Sequence, residues 1–211
     1  MGNCAGYCTG ESDEKNEHHT KNNFNKIDLQ DLDFEKTYAD PQQHAVKAIK
    51  HEEADSNGRI AKGPFTLKNG AVYTGQWLSG MRDGFGDQLW PDGSKYEGHW
   101  RNDKANGQGK LVHADGDIYE GEWVNDKAEG KGTYSHANGA YYEGAWIDDK
   151  QHGFGVESWP DGARYEGKYI EGKKEGEGKL TFADGSYYEG EFRQNEISGF
   201  GNYYWPDGKA Y

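Results

Sequence analysis

The sequence repeats itself at intervals of 23 residues, and this periodicity constrains the fold more than any other feature. In each copy a Tyr-x-Gly-x-aromatic segment precedes Gly-x-Gly and then Asp-Gly or Asn-Gly. The tyrosines that mark the period, without a single insertion, are Tyr73, Tyr96, Tyr119, Tyr142, Tyr165, Tyr188 and Tyr211. A fixed period of this length predicts stacked supersecondary units. We therefore expect a repeat domain over 63–211, with a half repeat, 63–72, and six repeats, 73–210.

Each copy contains the pattern of one β-hairpin. In Tyr96-Glu-Gly-His-Trp100, large and small residues on one side alternate with polar ones on the other, as in a strand. A polar turn such as 102–104 follows, and the second strand is expected to run from Gly-x-Gly to the Asp-Gly, whose glycine suits a tight turn. Since a ring can lie over a glycine of the neighbouring strand, the sequence predicts an all-β, single-layer antiparallel sheet. Six hairpins and a half should extend roughly 60 Å at the usual strand spacing.

These motifs resemble the MORN (membrane occupation and recognition nexus) repeat, whose pattern is Y-E-G-x-W followed by G-x-G and D-G. The resemblance covers the whole of 63–211. It implies an elongated, single-layer sheet with one hairpin per repeat, a scaffolding or membrane-associated role in eukaryotic cytoplasm, and dimers formed through terminal repeats.

Charge argues against a nucleic-acid partner. Residues 1–62 hold 8 basic and 12 acidic residues, and residues 63–211 hold 16 and 25, which gives the net charge of −13. A nucleic-acid binder needs a basic stripe that displaces counterions, and neither part supplies one. The sequence also has no run of 18 apolar residues and no secretory signal, so we expect neither a transmembrane helix nor export.

The first eight residues favour a lipid anchor. Gly2 follows the initiator methionine, as N-myristoylation requires, and the only two cysteines, Cys4 and Cys8, are placed for S-palmitoylation. Gly6 departs from the usual Ser or Thr of the myristoylation motif. Two alternatives stay open, namely an uninformative tail that begins Met-Gly, and a cysteine pair that serves a metal or a redox bond.

Between this anchor and the repeats, composition separates two segments. Residues 1–39 are polar and are expected to be a mostly disordered tail with one apolar-acidic stretch, 27–34, which is either a docking motif or a collapsed linker. Residues 40–58 are expected to form a cap for the first strand. In this segment Asp40 and Pro41 favour a helix start, Asn57-Gly58 favours its end, and the helix itself should lie near 41–54.

Catalytic motifs are not found in the sequence. His113 and His136 occupy a position that is aromatic in other copies, no Ser or Cys nucleophile is in phase with a histidine, and no cluster has metal-ligand spacing. The Gly-x-Gly pairs lie within a sheet repeat, so they do not form a phosphate loop. The sequence predicts a protein that is not an enzyme and that needs no cofactor or metal.

The three copies that place Phe between the two glycines also end in Trp-Pro-Asp-Gly. By strand alternation these phenylalanines point away from the Tyr/Trp face, and exposed apolar patches mark partner sites. We therefore predict that a partner helix or strand binds this surface or the trough opposite it, unless the protein's own tail covers it. The predicted partner-binding residues are Phe85, Phe154, Phe200, Trp90, Trp159 and Trp205.

Together these features predict a membrane-tethered scaffold that binds a protein partner at the cytoplasmic face of a membrane, with plasma membrane, cell cortex and cilium as settings. Two alternatives remain, which are direct phospholipid or phosphoinositide binding by the repeats, and a regulatory subunit of a separate enzyme. The uncapped edge at the C-terminal repeat favours a homodimer.

Overall fold

A computed structural model describes residues 53–211, and these residues form one antiparallel sheet of 13 strands. The strands follow one another in chain order, so each contacts its sequence neighbours. They are β1 Ile60–Thr66, β2 Val72–Leu78, β3 Met81–Leu89, β4 Lys95–Arg101, β5 Lys104–Val112, β6 Ile118–Val124, β7 Lys127–Ser135, β8 Tyr141–Ile147, β9 Lys150–Ser158, β10 Arg164–Ile170, β11 Lys173–Thr181, β12 Tyr187–Arg193 and β13 Glu196–Tyr204. The predicted single-layer sheet of hairpins is confirmed.

Two kinds of turn alternate along the sheet. Within a copy, two residues in the left-handed region join the strands, as at Asn102 (φ 49°) and Asp103 (φ 66°), and Asn and Asp tolerate this conformation better than most residues. Between copies, an Asp-Gly turn such as the one ending at Gly93 closes with a hydrogen bond from its amide to the Trp90 carbonyl (3.0 Å). The period of 23 residues is therefore two strands and one turn of each kind.

A bulge interrupts each hairpin at the first glycine of Gly-x-Gly. Gly98 pairs with Gly109 and Trp100 pairs with Ala105, so three residues of β5 face one residue of β4. Gly107 in this bulge has a φ of 104°. The second strand thus begins at Lys104, earlier than the Gly-x-Gly start expected from sequence, because the bulge lets the ladder continue on both sides of that glycine.

The first face of the sheet, which we call the aromatic face, holds the tyrosine and tryptophan side chains of the repeats. Tyr96 lies directly over Gly109, where an added Cβ would stand 2.2 Å from the tyrosine oxygen. The Tyr96 hydroxyl donates to the His99 carbonyl (3.0 Å), and the Trp100 Nε1–H donates to the Gly86 carbonyl (3.0 Å). Glycine is therefore required here because the ring occupies the space of a side chain.

The aromatic rings form an edge-to-face series along the sheet. Tyr96 contacts Trp100 of its own copy at 5.0 Å between ring centroids and Trp123 of the next copy at 5.4 Å. The same arrangement continues from Tyr73 to Phe192. Edge-to-face pairs contribute about 0.5–1.5 kcal/mol each beyond the area they bury. The rings thus connect successive copies on this face.

Side chains at the two-residue turns also join adjacent hairpins. The Asp126 carboxylate accepts a hydrogen bond from the Ala105 amide (2.7 Å), and the Asp149 carboxylate accepts one from the Ala128 amide (2.7 Å). Asn195 repeats the contact with the Lys174 amide at 2.8 Å. Each of these bonds ties a turn to the strand of the preceding copy.

The predicted anchor at Gly2, Cys4 and Cys8, the tail over 1–39 and nearly all of the helix expected near 41–54 lie outside the described residues. At the start of the described part, Ala54 pairs with Ile60 in an isolated bridge, and the Asp55 side chain accepts from the Asn57 amide (2.8 Å). The expected boundary at residue 63 falls inside β1. No helix in residues 53–211 has the length and apolarity to cross a bilayer.

At the other end of the sheet, the chain turns back along β13. The Tyr211 amide donates to the Tyr203 carbonyl, and the Tyr203 amide donates to the Tyr211 carbonyl, both at 2.9 Å. The dimer expected through this edge stays a prediction.

Candidate functional site

The predicted phenylalanines lie on the second face of the sheet, opposite the aromatic face. Gly155 and Gly201 point toward the tyrosine rings, since an added Cβ would stand 2.4 Å and 2.2 Å from the nearest tyrosine oxygen. Strand alternation directs the preceding residues, Phe154 and Phe200, the other way. Phe154 is 67% exposed and Phe200 is 89% exposed. Two large apolar side chains are thus exposed to solvent on the same face.

The predicted tryptophans lie on the aromatic face, opposite the phenylalanines. Trp90 and Trp159 are partly buried against the core cluster of that face. Trp205 is more exposed and contacts Tyr203 at 4.8 Å between ring centroids. The six residues predicted from sequence therefore belong to two surfaces, and the structure brings together only part of the set.

Phe154 and Phe200 flank one open groove on the second face. The groove crosses β9–β13 and has a volume of about 560 Å³. Its floor is the backbone of a row of paired glycines, since Gly167 pairs with Gly178 and Gly178 pairs with Gly190. The lining residues are Phe154, Glu166, Gly167, Glu177, Gly178, Lys179, Glu189, Gly190, Glu191, Phe200, Gly201 and Asn202.

Carboxylates predominate in this groove. Lys179, the cation of the lining, pairs with Glu189 at 2.8 Å and lies 4.0 Å from the centre of the Tyr187 ring. Glu166 pairs with Arg164 beside the groove. Glu177 and Glu191 stand directly opposite each other on β11 and β12. The groove therefore combines apolar ends with a negatively charged middle.

Phe85 has different surroundings from the other two phenylalanines. Its ring contacts His99 edge-to-face at 5.6 Å, and its amide donates to Gln76 Oε1 (2.7 Å). Gln76 in turn donates to the Asp55 carboxylate (3.2 Å). The segment before β1 thus reaches the second face near Phe85, which is 48% exposed.

Two polar clusters interrupt the aromatic face. Glu157 is 3% exposed, and its carboxylate accepts from Lys174 (2.6 Å) and from the Tyr169 hydroxyl (2.9 Å). The Lys174 ammonium also lies 5.0 Å from the centre of the Trp159 ring. Because the lysine and the carboxylate satisfy each other, the cluster fills this face without leaving a buried charge unpaired.

The second polar cluster surrounds Asp117. Its carboxylate accepts from Tyr134 (2.8 Å) and the Ala137 amide (2.9 Å), and it lies 2.9 Å from His136 Nδ1. Burial pushes the pKa of Asp117 upward, but these hydrogen bonds and His136 outweigh it and hold the pKa below its usual range. Within residues 53–211, no three His, Cys, Asp or Glu side chains are placed to hold a metal ion.

Burial also changes the titration of the repeated tyrosines. It raises the pKa of Tyr165 to about 12 and raises the pKa values of Tyr73, Tyr96 and Tyr142 still further. The cause is desolvation, which penalises the charged phenolate. These side chains stay neutral at physiological pH and act as packing and hydrogen-bonding groups.

Sequence reasoning identified the two phenylalanines of the groove but missed its carboxylates. The pairing of Glu177 with Glu191 was not among the sequence predictions. That pairing lies in the ladder between two adjacent hairpins, which continues without a register shift. The Asp184-Gly185 turn was the signal that could have found it, since residues at equal distances before and after Asp184 stand opposite each other.

Comparison with known proteins identifies the repeats. The family model described as MORN repeat matches six consecutive segments, 73–95, 96–118, 119–141, 142–164, 165–187 and 188–210. No curated protein sequence matches the chain significantly.

Solved structures of low similarity include a SAS-4 (dCPAP) TCP domain of Drosophila melanogaster in complex with a proline-rich motif of Ana2 (14% identity, 76% of this chain and 80% of that chain, TM-score 0.40). Another is the wild-type TCP10 domain of Danio rerio CPAP (13% identity, 75% of this chain and 91% of that chain, TM-score 0.22). Nothing about function follows from a likeness at this level.

Proposed function

Because the chain belongs to the MORN-repeat family, we propose that it is a non-catalytic scaffold that is tethered to a membrane and binds a protein partner through the second face of its sheet. The groove between Phe154 and Phe200 is the docking site in this proposal. Gly2, Cys4 and Cys8 carry the acyl chains that hold the protein at the cytoplasmic face of a membrane.

The exposure of Phe154 and Phe200 is the observation that carries the docking role. Leaving a phenylalanine side chain in water forgoes about 1.5–3 kcal/mol of burial free energy. The fold itself gains little from these two rings, since the core cluster lies on the other face. Exposed apolar side chains beside a groove favour a protein interface.

The membrane role is supported by composition. A single myristoyl chain binds membranes only marginally, so a second signal is needed. The acidic residues that follow the anchor do not provide an electrostatic one, whereas two cysteines provide two further acylation sites. Anchoring of this kind is insensitive to salt.

Affinity purification from eukaryotic cells tests the docking role. The full chain is compared with Phe154→Ser/Phe200→Ser, and every protein lost from the variant is purified and tested for direct binding to the wild-type chain. We expect at least one direct partner whose binding falls to background. As a matched control, Val124→Ser/Ile147→Ser changes two exposed apolar residues outside the groove lining and should retain that partner. Equal partner sets for wild type and groove variant would reject the proposal.

Membrane partitioning in high salt tests the tether separately. Gly2→Ala and Cys4→Ser/Cys8→Ser should each become soluble, while the groove variant should stay on membranes. If both anchor variants stay on membranes at low salt and are released by high salt, the result would instead support direct phospholipid binding by the repeats.

A further inference from the structure

The groove contains a pair of like charges at a position where other copies have none. Glu177 on β11 stands directly opposite Glu191 on β12. The other ladders that join adjacent hairpins carry different pairs at the equivalent position. These pairs are Phe85 with His99, Gln108 with Glu122, Lys131 with Ala145 and Phe154 with Lys168. Like charges directly opposite each other destabilise a sheet. The Glu191 carboxylate lies over the bulge glycine Gly199, as Glu122 lies over Gly130 in another copy, but the fold does not account for a second carboxylate, Glu177, opposite it.

Neighbouring cations do not neutralise these two carboxylates. Lys179 pairs with Glu189, and Arg164 pairs with Glu166. Lys168, beside Glu177 on β10, extends toward the bulge glycine Gly176. Across residues 53–211, neither Glu177 nor Glu191 has an ion pair within 4 Å. Both side chains are exposed and face the open groove.

Phe154 and Phe200 stand at the two ends of the groove, with the carboxylate pair between them. They lie on β9 and β13, four strand spacings apart, which corresponds to about 19 Å. A ligand that fits the groove must therefore present apolar groups at both ends and a cation in the middle.

We propose that the groove binds an amphipathic helix of a partner protein, with an arginine or lysine seated between Glu177 and Glu191 and apolar side chains against Phe154 and Phe200. This inference rests on the docking function proposed above and names the chemistry of the partner. A spacing of about 14 residues between the apolar side chains spans about 21 Å of helix and returns to the same helix face. The basic residue lies nearer the apolar group at Phe200 than the one at Phe154, because Glu177 and Glu191 are on β11 and β12.

A helix fits this site better than an extended segment. The groove runs across the strands, and its floor strands already pair with neighbours on both sides. An extended peptide lying there would find no backbone groups with which to continue a ladder, whereas a helix satisfies its own backbone hydrogen bonds.

Charge also argues against the protein's own tail as the occupant. The apolar-acidic stretch of the tail, 27–34, carries Asp28, Asp31 and Asp33 and no basic residue. Placing it in the groove would add three negative charges to a lining with four glutamates and one lysine. A basic helix from another protein supplies the opposite charge.

The test uses a displayed library of helical peptides of about 18 residues, selected on the full-length protein. Selected peptides are titrated against Glu177→Gln/Glu191→Gln and Phe154→Ser/Phe200→Ser. Glu120→Gln/Glu143→Gln is the control, because it removes the same charge from exposed positions of the second face outside the groove. Circular dichroism verifies that each variant folds.

We expect the selected peptides to carry a basic residue between two apolar ones at the spacing given above. Their Kd should rise about 10-fold or more with Glu177→Gln/Glu191→Gln and stay within about 2-fold with the control variant. The reversed variant Glu177→Lys/Glu191→Lys should prefer peptides with glutamate at the central position.

Three results would overturn the inference: selected peptides without a central basic residue, an equal loss of affinity in the groove and control variants, or tighter binding by a synthetic 27–34 peptide than by the basic ones. If the phenylalanine variant loses binding while the glutamine variant does not, the docking function stands and only the partner chemistry is wrong. If the phenylalanine variant binds every peptide as the wild type does, the docking function itself fails.

Discussion

On the aromatic face each copy places tyrosine, glycine and a second ring in the same contacts, whereas on the second face the residue between the two glycines changes from copy to copy. Tyr96 and Tyr142 make equivalent ring contacts and equivalent hydrogen bonds to a carbonyl three residues on. Across the sheet, Gln108 and Phe154 hold the same position in different copies. The residues that recur in every copy build the fold, and the residues that vary between copies distinguish one part of the surface from another.

Alkaline pH should disrupt the aromatic face most strongly. The pKa values of its buried tyrosines are raised, so the folded state keeps protons that the unfolded state releases near pH 10. The contribution of these tyrosines to stability is therefore constant below that pH and falls as pH rises toward 12 and beyond. A pH titration followed by circular dichroism and tyrosinate absorbance should show exposed tyrosines ionising first and buried ones only as the sheet unfolds. Full ionisation near pH 10 with an intact sheet would contradict this interpretation.

Substitutions on the two faces should differ greatly in their effect on stability, and one added methyl group is enough to show it. Gly109→Ala places a Cβ on the Tyr96 ring and should lower the free energy of unfolding by about 3 kcal/mol or more. Phe154→Ala on the second face removes a far larger group that is 67% exposed and should cost less than about 0.5 kcal/mol. Urea unfolding measures both. Similar losses would show that the two faces do not differ in their contribution to stability.

A smaller effect is expected at the turns that join adjacent hairpins. Asp126→Gly keeps the left-handed turn conformation but removes the bond to the Ala105 amide, and it should cost about 1 kcal/mol. Gly172 holds the equivalent position in another copy, so the hairpin tolerates glycine there. An unchanged urea midpoint for Asp126→Gly would show that water replaces the carboxylate at no cost.

The smallest effect should have the opposite sign. Glu177→Gln removes the repulsion with Glu191 and should raise the free energy of unfolding by about 0.2–1 kcal/mol, with a smaller gain in high salt. Glu143→Gln is the control, since Glu143 stands opposite Thr133 and Val156. If both substitutions have the same effect, the Glu177 carboxylate is an ordinary solvated charge.

The sequence predicted the hairpins and the direction of the phenylalanines because both follow from local alternation within one strand. Tyr96, Gly98 and Trp100 lie on one side of a strand in any register of the neighbouring strand. The pairing of Glu177 with Glu191 was not accessible in this way, since cross-strand partners depend on the register that the turn between two copies imposes.

Local alternation also accounts for the tryptophans that share a copy with these phenylalanines. Trp90 and Trp159 follow Phe85 and Phe154 by five positions, and an odd offset places two residues on opposite sides of a strand. The structure packs both tryptophans against the core cluster of the aromatic face.

The pairing of strands in chain order also determines how the sheet is expected to fold and to open. Each strand contacts the strands before and after it in sequence, so the separation between contacting residues stays short. Chains with such local contacts fold quickly, and in arrays of this kind stability is approximately the sum of each hairpin and its interfaces with adjacent hairpins. Damage in one copy should therefore loosen its immediate neighbours first, and amide hydrogen exchange should report it as a local change centred on that copy.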